Sequence, residues 1–209
     1  MGSTDGQNWL SSYMTTAALE SLKKSLREIG TLYRSRLDRA RRLFIEERAC
    51  ALKGLRDVEY SVKQDVAQFF RISYASVCFT GSAQLGFSIL KNKMFQPGIS
   101  DLDVACVSAD LFQDSWTDVI TSTRAFTDET KFSGLSRDEI DLFKQSILRR
   151  GMIRVSLMPR SEISREWQGF EQKLTRKYAP YFGEISIAVY MNEYAFCWKQ
   201  DAALAGFFK

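Results

Sequence analysis

The sequence contains no histidine, and that absence removes a large part of ordinary enzyme chemistry. Ser-His-Asp and Cys-His arrangements are excluded, and so are the usual zinc ligand sets. Any chemistry must come from carboxylates, hydroxyls, Lys, Arg or Tyr. Cysteine is scarce: Cys50, Cys78, Cys106 and Cys197 are widely spaced without a Cys-x-x-Cys pair, and Cys78 and Cys106 sit inside apolar runs. That pattern predicts reduced, buried thiols. No apolar run approaches the length of a membrane span, and the N-terminus lacks the basic-then-apolar order of a secretory signal. A soluble, cytoplasmic chain with no membrane partner is the expectation. Net charge is also small, +4 over 209 residues, so the average says little about partners and the distribution says more.

What is present divides unevenly. Residues 1–15 are expected to be a flexible N-terminus. From about Thr16 to Cys50 there is no proline, and Leu22, Leu26, Ile29, Tyr33, Leu37, Ala40 and Phe44 recur at spacings of three and four, one apolar stripe along a long helix. Its other faces carry Lys23, Lys24, Arg27, Arg34, Arg36, Arg39, Arg41, Arg42 and Arg48. This basic stretch reads either as a solvated face with ion pairs or as a surface for phosphate-rich partners such as RNA. After Gly54, Val58, Val62, Val66, Phe69 and Phe70 predict a second helix. Residues 16–70 together read as a helical extension packed on the core, able to serve a protein partner or a second copy of the chain.

At Ile72 the period changes. Short β-prone runs end at Phe79 and span Val104 to Val107, with a helix expected from Ser82 through Leu90 between them. A helix is predicted over 108–126, and Ser136 with Glu139 is a capping box for another that ends near Arg150-Gly151. A strand over 152–157, a helix over 163–178, a strand GEISIAVYM over 183–191 and a helical tail complete the pattern. Residues 71–209 therefore read as an α+β domain, a mixed sheet flanked by helices. Trp116, Trp167 and Trp198 fall at apolar spacing and are expected in the core.

One constellation carries chemistry. Alternate strand residues share a face, so Asp101 and Asp103 in SDLDVACV project the same way while Leu102 and Val104 enter the core. Two like charges on one side need neutralising, and a divalent cation that prefers oxygen does this well. Gly81-Ser82 supplies a place where the backbone approaches a phosphate closely and a hydroxyl donates to it. Lys91 and Lys93 flank the loop between the two halves, as solvated lysines or phosphate contacts.

Phe79-Thr80-Gly81-Ser82, Gly86 and Ser100-Asp101-Leu102-Asp103-Val104 resemble the hydrophobic-Gly-Ser and Asp-hydrophobic-Asp signature of the nucleotidyltransferase superfamily typified by DNA polymerase β. The resemblance covers roughly residues 72–108. It implies a nucleotidyltransferase-like core over 71–209, with Asp101 and Asp103 as catalytic ligands of Mg²⁺ (or Mn²⁺). Gly81, Ser82 and Ser100 would bind the nucleoside triphosphate. The implied activity is transfer of a nucleoside monophosphate to an acceptor hydroxyl on an RNA end, a protein or a nucleotide, in a setting such as bacterial stress, toxin–antitoxin pairs or phage defence. The alternative is a nucleotide-sensing or partner-binding module of the same fold without turnover. The superfamily's third carboxylate is where this sequence departs. Glu184 is the candidate, with Asp141 a poorer one, and if Ser186 aligns with the aspartates the metal site lacks that member.

Overall fold

Strand alternation decides where everything else goes. In the computed structural model, which describes residues 16–208, six strands occur: β1 (Val77–Thr80), β2 (Phe87–Ser88), β3 (Lys93–Met94), β4 (Leu102–Val107), β5 (Met152–Arg154) and β6 (Ile185–Tyr190). Four make a mixed sheet in the order β1-β4-β6-β5, with β4 and β6 parallel and both outer pairs antiparallel. Strands β2 and β3 form a separate hairpin. The helices are α1 (Thr16–Leu32), α2 (Arg36–Arg41), α3 (Arg56–Phe70), α4 (Gly81–Leu85), α5 (Ala109–Ser122), α6 (Arg137–Arg150), α7 (Glu162–Lys177) and α8 (Glu193–Leu204). The fold is α+β. Among the described residues no helix is long and apolar enough to cross a membrane.

One face of the sheet is apolar from end to end. Val77, Phe79, Leu102, Val104, Cys106, Ile185, Ile187 and Val189 are buried there under residues of α3, α5, α6 and α7, such as Val66, Val119, Phe143 and Leu174. Full burial of each large apolar side chain contributes roughly 1.5–3 kcal/mol, so this layer is the main source of stability. The opposite face is apolar only in part. Cys78, Ala105, Met152 and Tyr190 pack with Leu26 of α1, Ala40 of α2, and Phe196, Cys197 and Leu204 of α8. Asp201 of α8 is buried and accepts two hydrogen bonds from Arg39, at 3.0 and 2.7 Å, which ties α2 to α8.

The single long helix expected over 16–50 is interrupted. Ser35 caps α2 by accepting from the Asp38 amide, and α2 runs on as a π-helical turn (Arg42–Glu46) before a 3₁₀ turn (Cys50–Leu52). The physical reason is that the apolar stripe serves two differently aimed segments, with Leu26 buried from the first and Ala40, Leu43 and Phe44 from the second. The basic residues between them meet carboxylates: Arg41 with Glu193 and Asp38, Arg42 with Glu46 and Glu47, Arg48 with Glu59. For these three residues carboxylates supply the pairing that the first of the two readings expects. The helix expected from Ser82 to Leu90 is also short. Gly86, at φ +83°, ends α4 in the left-handed region, and a Cβ there would come within 2.7 Å of the Cys50 sulfur. The chain then turns into the β2–β3 hairpin. All four cysteines are free and buried, and burial pushes the Cys106 thiol well up, so none is a ready nucleophile. Trp167 is buried as expected, whereas Trp198 is exposed, stacked on Tyr194 with the Arg36 guanidinium over its ring. The flexible stretch expected over 1–15 lies outside the described residues.

Candidate functional site

The half of the second sheet face that α1, α2 and α8 leave uncovered is a cleft of about 440 Å³. Its floor is the row of alternate residues that the strand register brings level. Thr80 of β1 stands opposite Asp103 of β4, and Asp103 stands opposite Ser186 of β6. One step further along, Ala188 of β6 stands opposite Arg154 of β5. Each of these residues lines the cleft, together with Asp101, Gly81, Ser82, Lys91 of the hairpin connection and Lys199 of α8.

Asp103 is the centre of the row. Its Oδ1 accepts from the Ser186 hydroxyl at 3.0 Å. Its Oδ2 lies against Gly81, where a Cβ would come within 2.2 Å of that oxygen, and Gly81 itself is at φ +65°. Two independent constraints, the left-handed backbone and the carboxylate, therefore demand glycine where β1 turns into α4. The Gly-Ser turn and the Asp-x-Asp pair thus meet on the same side of the sheet and share one cleft.

The structure does not bring every expected residue there. Ser100 does not line the cleft. Its hydroxyl accepts from the Gln96 amide at 3.0 Å, and its own amide donates to the Gln96 carbonyl, because the chain makes a tight turn before β4. Glu184 does not line it either. It precedes the first residue of β6 and lies in a separate groove with Glu171, Thr175 and Arg176. That groove exists because β5 pairs only with the far half of β6, which leaves the near edge to side chains of α7. The Thr175 hydroxyl accepts from the Ile185 amide and Glu171 accepts from the Ile187 amide at 2.6 Å. Burial raises the Glu171 carboxyl to about 7, the Ile187 amide opposes this, and the nearby Glu184 charge adds to it. Asp141 of α6 lies outside the cleft lining as well. The residue aligned with the aspartates is Ser186.

Two cations in the cleft carried no clear sequence signal. Arg154 falls inside the strand expected over 152–157, and α8 is apolar on several sides, so no periodicity marks the face that holds Lys199. Burial and the guanidinium groups of Arg154 and Arg150 pull the Lys199 ammonium down to about 8, with Asp103 opposing. Tyr190 closes the back of the cleft, its hydroxyl accepting from Gln200 at 3.2 Å, and burial pushes its phenol well up.

As a donor set, Asp101 and Asp103 with the hydroxyls of Ser82 and Ser186 offer hard oxygens, which suit Mg²⁺ or Mn²⁺ over softer metals. Two carboxylates could hold one such ion whose remaining ligands come from outside the protein. Among the described residues no group of three or more acidic or cysteine side chains gathers to hold a metal by itself. The chain matches no family model, no curated protein and no solved structure.

Proposed function

We propose that this cleft binds a nucleoside triphosphate with Mg²⁺ and transfers its nucleoside monophosphate to an acceptor hydroxyl, on the pattern of the nucleotidyltransferase superfamily typified by DNA polymerase β. The observation that carries the reading is the contact between the Gly81 turn and the Asp103 carboxylate. A phosphate chain seated on the backbone amide and hydroxyl of Ser82 lies beside the two aspartates, and both line the same cavity. Asp101 and Asp103 would hold Mg²⁺, which supplies neutralisation of the phosphate charge. The Ser186 hydrogen bond fixes the rotamer of Asp103 and leaves Oδ2 toward the phosphates. In the transfer, the acceptor oxygen bonds to the α-phosphorus and the bond from that phosphorus to the bridging oxygen breaks. Pyrophosphate leaves with the electron pair, and the hydroxyl proton passes to solvent through the open cleft. Positioning and charge stabilisation suffice for such chemistry, which agrees with a chain that lacks histidine.

A second reading has its own observation. Ser186 stands where a third carboxylate would face Asp103, which favours a module that binds the nucleotide without turning it over. One experiment separates the two. Labelled triphosphates with Mg²⁺ and a mixture of acceptors yield pyrophosphate under the first reading, and Asp103→Asn lowers that yield by roughly 100-fold or more. Saturable binding of the triphosphate with no pyrophosphate selects the second reading. Absence of binding removes both.

A further inference from the structure

Several basic side chains of this protein meet carboxylates. Arg36 and Arg39 face Asp201, Arg41 faces Glu193, Arg42 faces Glu46 and Glu47, Arg48 faces Glu59, and Lys177 faces Asp65. Arg154 and Lys199 do not, and they share one end of the cleft. Both line the cleft, and neither side chain has a hydrogen bond or ion pair among the described residues. Arg154 lies near enough to act on Lys199, where Arg150 adds to the positive charge and Asp103 opposes it. Lys199 is half-buried, so it has given up hydration without gaining a carboxylate. Such a pair is built for an anion that comes from outside the chain.

The position of the pair says which anion. The sheet order puts Gly81 and Ser82 beyond β1, Asp103 on β4 and Arg154 on β5, so the cations sit across the aspartates from the Gly-Ser turn. A triphosphate on the turn, with Lys91 beside it, occupies the opposite end. The Cα of Arg154 is two strand spacings and two residues from that of Asp103, roughly 12 Å. That separation sets the span open to a phosphate-bearing acceptor between the two ends of the cleft. A neutral hydroxyl acceptor on a protein would leave the two cations facing each other uncompensated.

We propose that Arg154 and Lys199 form a subsite for a phosphate carried by the acceptor, so that the molecule receiving the nucleotidyl group is a nucleotide or a ribo-oligonucleotide end. The inference rests on the transfer reading above and names the acceptor class for it. The test is calorimetric binding to the full chain with the triphosphate end filled by a non-hydrolysable triphosphate analogue and Mg²⁺. The probes are ribonucleoside 5′-monophosphates, the matching nucleosides and a 5′-phosphorylated diribonucleotide. The wild type binds monophosphate at least about tenfold tighter than nucleoside. The double variant R154Q/K199Q loses that preference, while its affinity for the analogue stays within about twofold. R154Q alone, at an exposed strand residue, shows part of the loss and guards against a folding defect at position 199. Tighter binding of the diribonucleotide than of the mononucleotide assigns an RNA end, and the reverse assigns a free nucleotide. Equal binding of nucleoside and monophosphate by the wild type overturns the proposal. So does a double variant that loses analogue affinity and keeps the monophosphate preference, since the cations then serve the triphosphate. If the analogue does not bind and triphosphates yield no pyrophosphate, the transfer reading fails by itself. A monophosphate preference measured without the analogue, and lost in the double variant, then keeps the phosphate subsite and overturns its part in transfer.

Discussion

The two faces of one sheet are made from the same strands and end up doing different things. On β4, Leu102, Val104 and Cys106 enter a core closed by four helices, whereas Asp103 and Ala105 face the other way and are separated by a boundary within two residues. Ala105 is sealed under the N- and C-terminal helices, and Asp103 stands open with Thr80 and Ser186 beside it. Stability comes from a face that is apolar along its whole length. The cleft comes from a face that is apolar for half its length and polar in register across three strands. The lesson is that a site here is an edge where covering helices stop, not a separate module added to the sheet.

The largest contrast to break is between neighbours on β1 and β4 that face opposite ways. Phe79→Ala is expected to cost about 3–5 kcal/mol of folding stability, because the ring is nearly fully buried and its neighbours cannot close the gap. Asp103→Asn, on the open face, is expected to shift stability by less than about 1 kcal/mol while removing turnover. Chemical denaturation of both variants checks this. A large stability loss in Asp103→Asn would show that the aspartate is part of the scaffold and that the two faces are not divided as described.

A second test compares the cleft with the groove on the other side of β6. Glu171 has a folded pKa of about 7, above the ordinary value of 4.5, chiefly because burial disfavours its charge. For an acid raised in this way, the stabilising contribution is fully present below about pH 4.5 and is lost as pH rises through about 7. Glu171→Gln removes that dependence and still offers an oxygen to the Ile187 amide. The variant is expected to be more stable than the wild type by roughly 2–3 kcal/mol at pH 8 and equal to it near pH 4. Melting curves at the two pH values decide it. A variant less stable at pH 8 would mean that the ionised carboxylate holds the edge of β6 and that its burial costs little.

Much of this division was legible in the sequence, and the failures have physical causes. The strand with Asp103, which Asp101 immediately precedes, the Gly-Ser turn and the capping box at Ser136 with Glu139 follow from periods and turn chemistry that act over a few residues. Helix lengths were misjudged where tertiary contacts intervene, at Ser35 where one stripe serves two segments and at Gly86 where the chain must pass close to Cys50. Glu184 stands just ahead of β6, and its side chain lies in the groove beside Glu171, Thr175 and Arg176 rather than in the cleft. Arg154 and Lys199 were invisible as a pair because only the sheet order, which no local pattern encodes, sets β5 and α8 against β4.

The smallest expected effect probes the row itself. Ser186→Asp places a carboxylate at hydrogen-bonding distance from Asp103, where the register already holds a hydroxyl at 3.0 Å. Two carboxylates so close cannot both ionise without a cation between them, so the variant is expected to be less stable than the wild type in chelator and to regain that stability in millimolar Mg²⁺. A transfer limited by loss of the hydroxyl proton to solvent should also gain from a base at this place, by about tenfold in pyrophosphate release. Stability and turnover are separate readouts of one geometry. If Mg²⁺ restores stability while turnover stays flat, the third position binds metal and the rate is set elsewhere. If neither responds, position 186 does not share an ion with Asp103, and the polar half of this face is not a metal site.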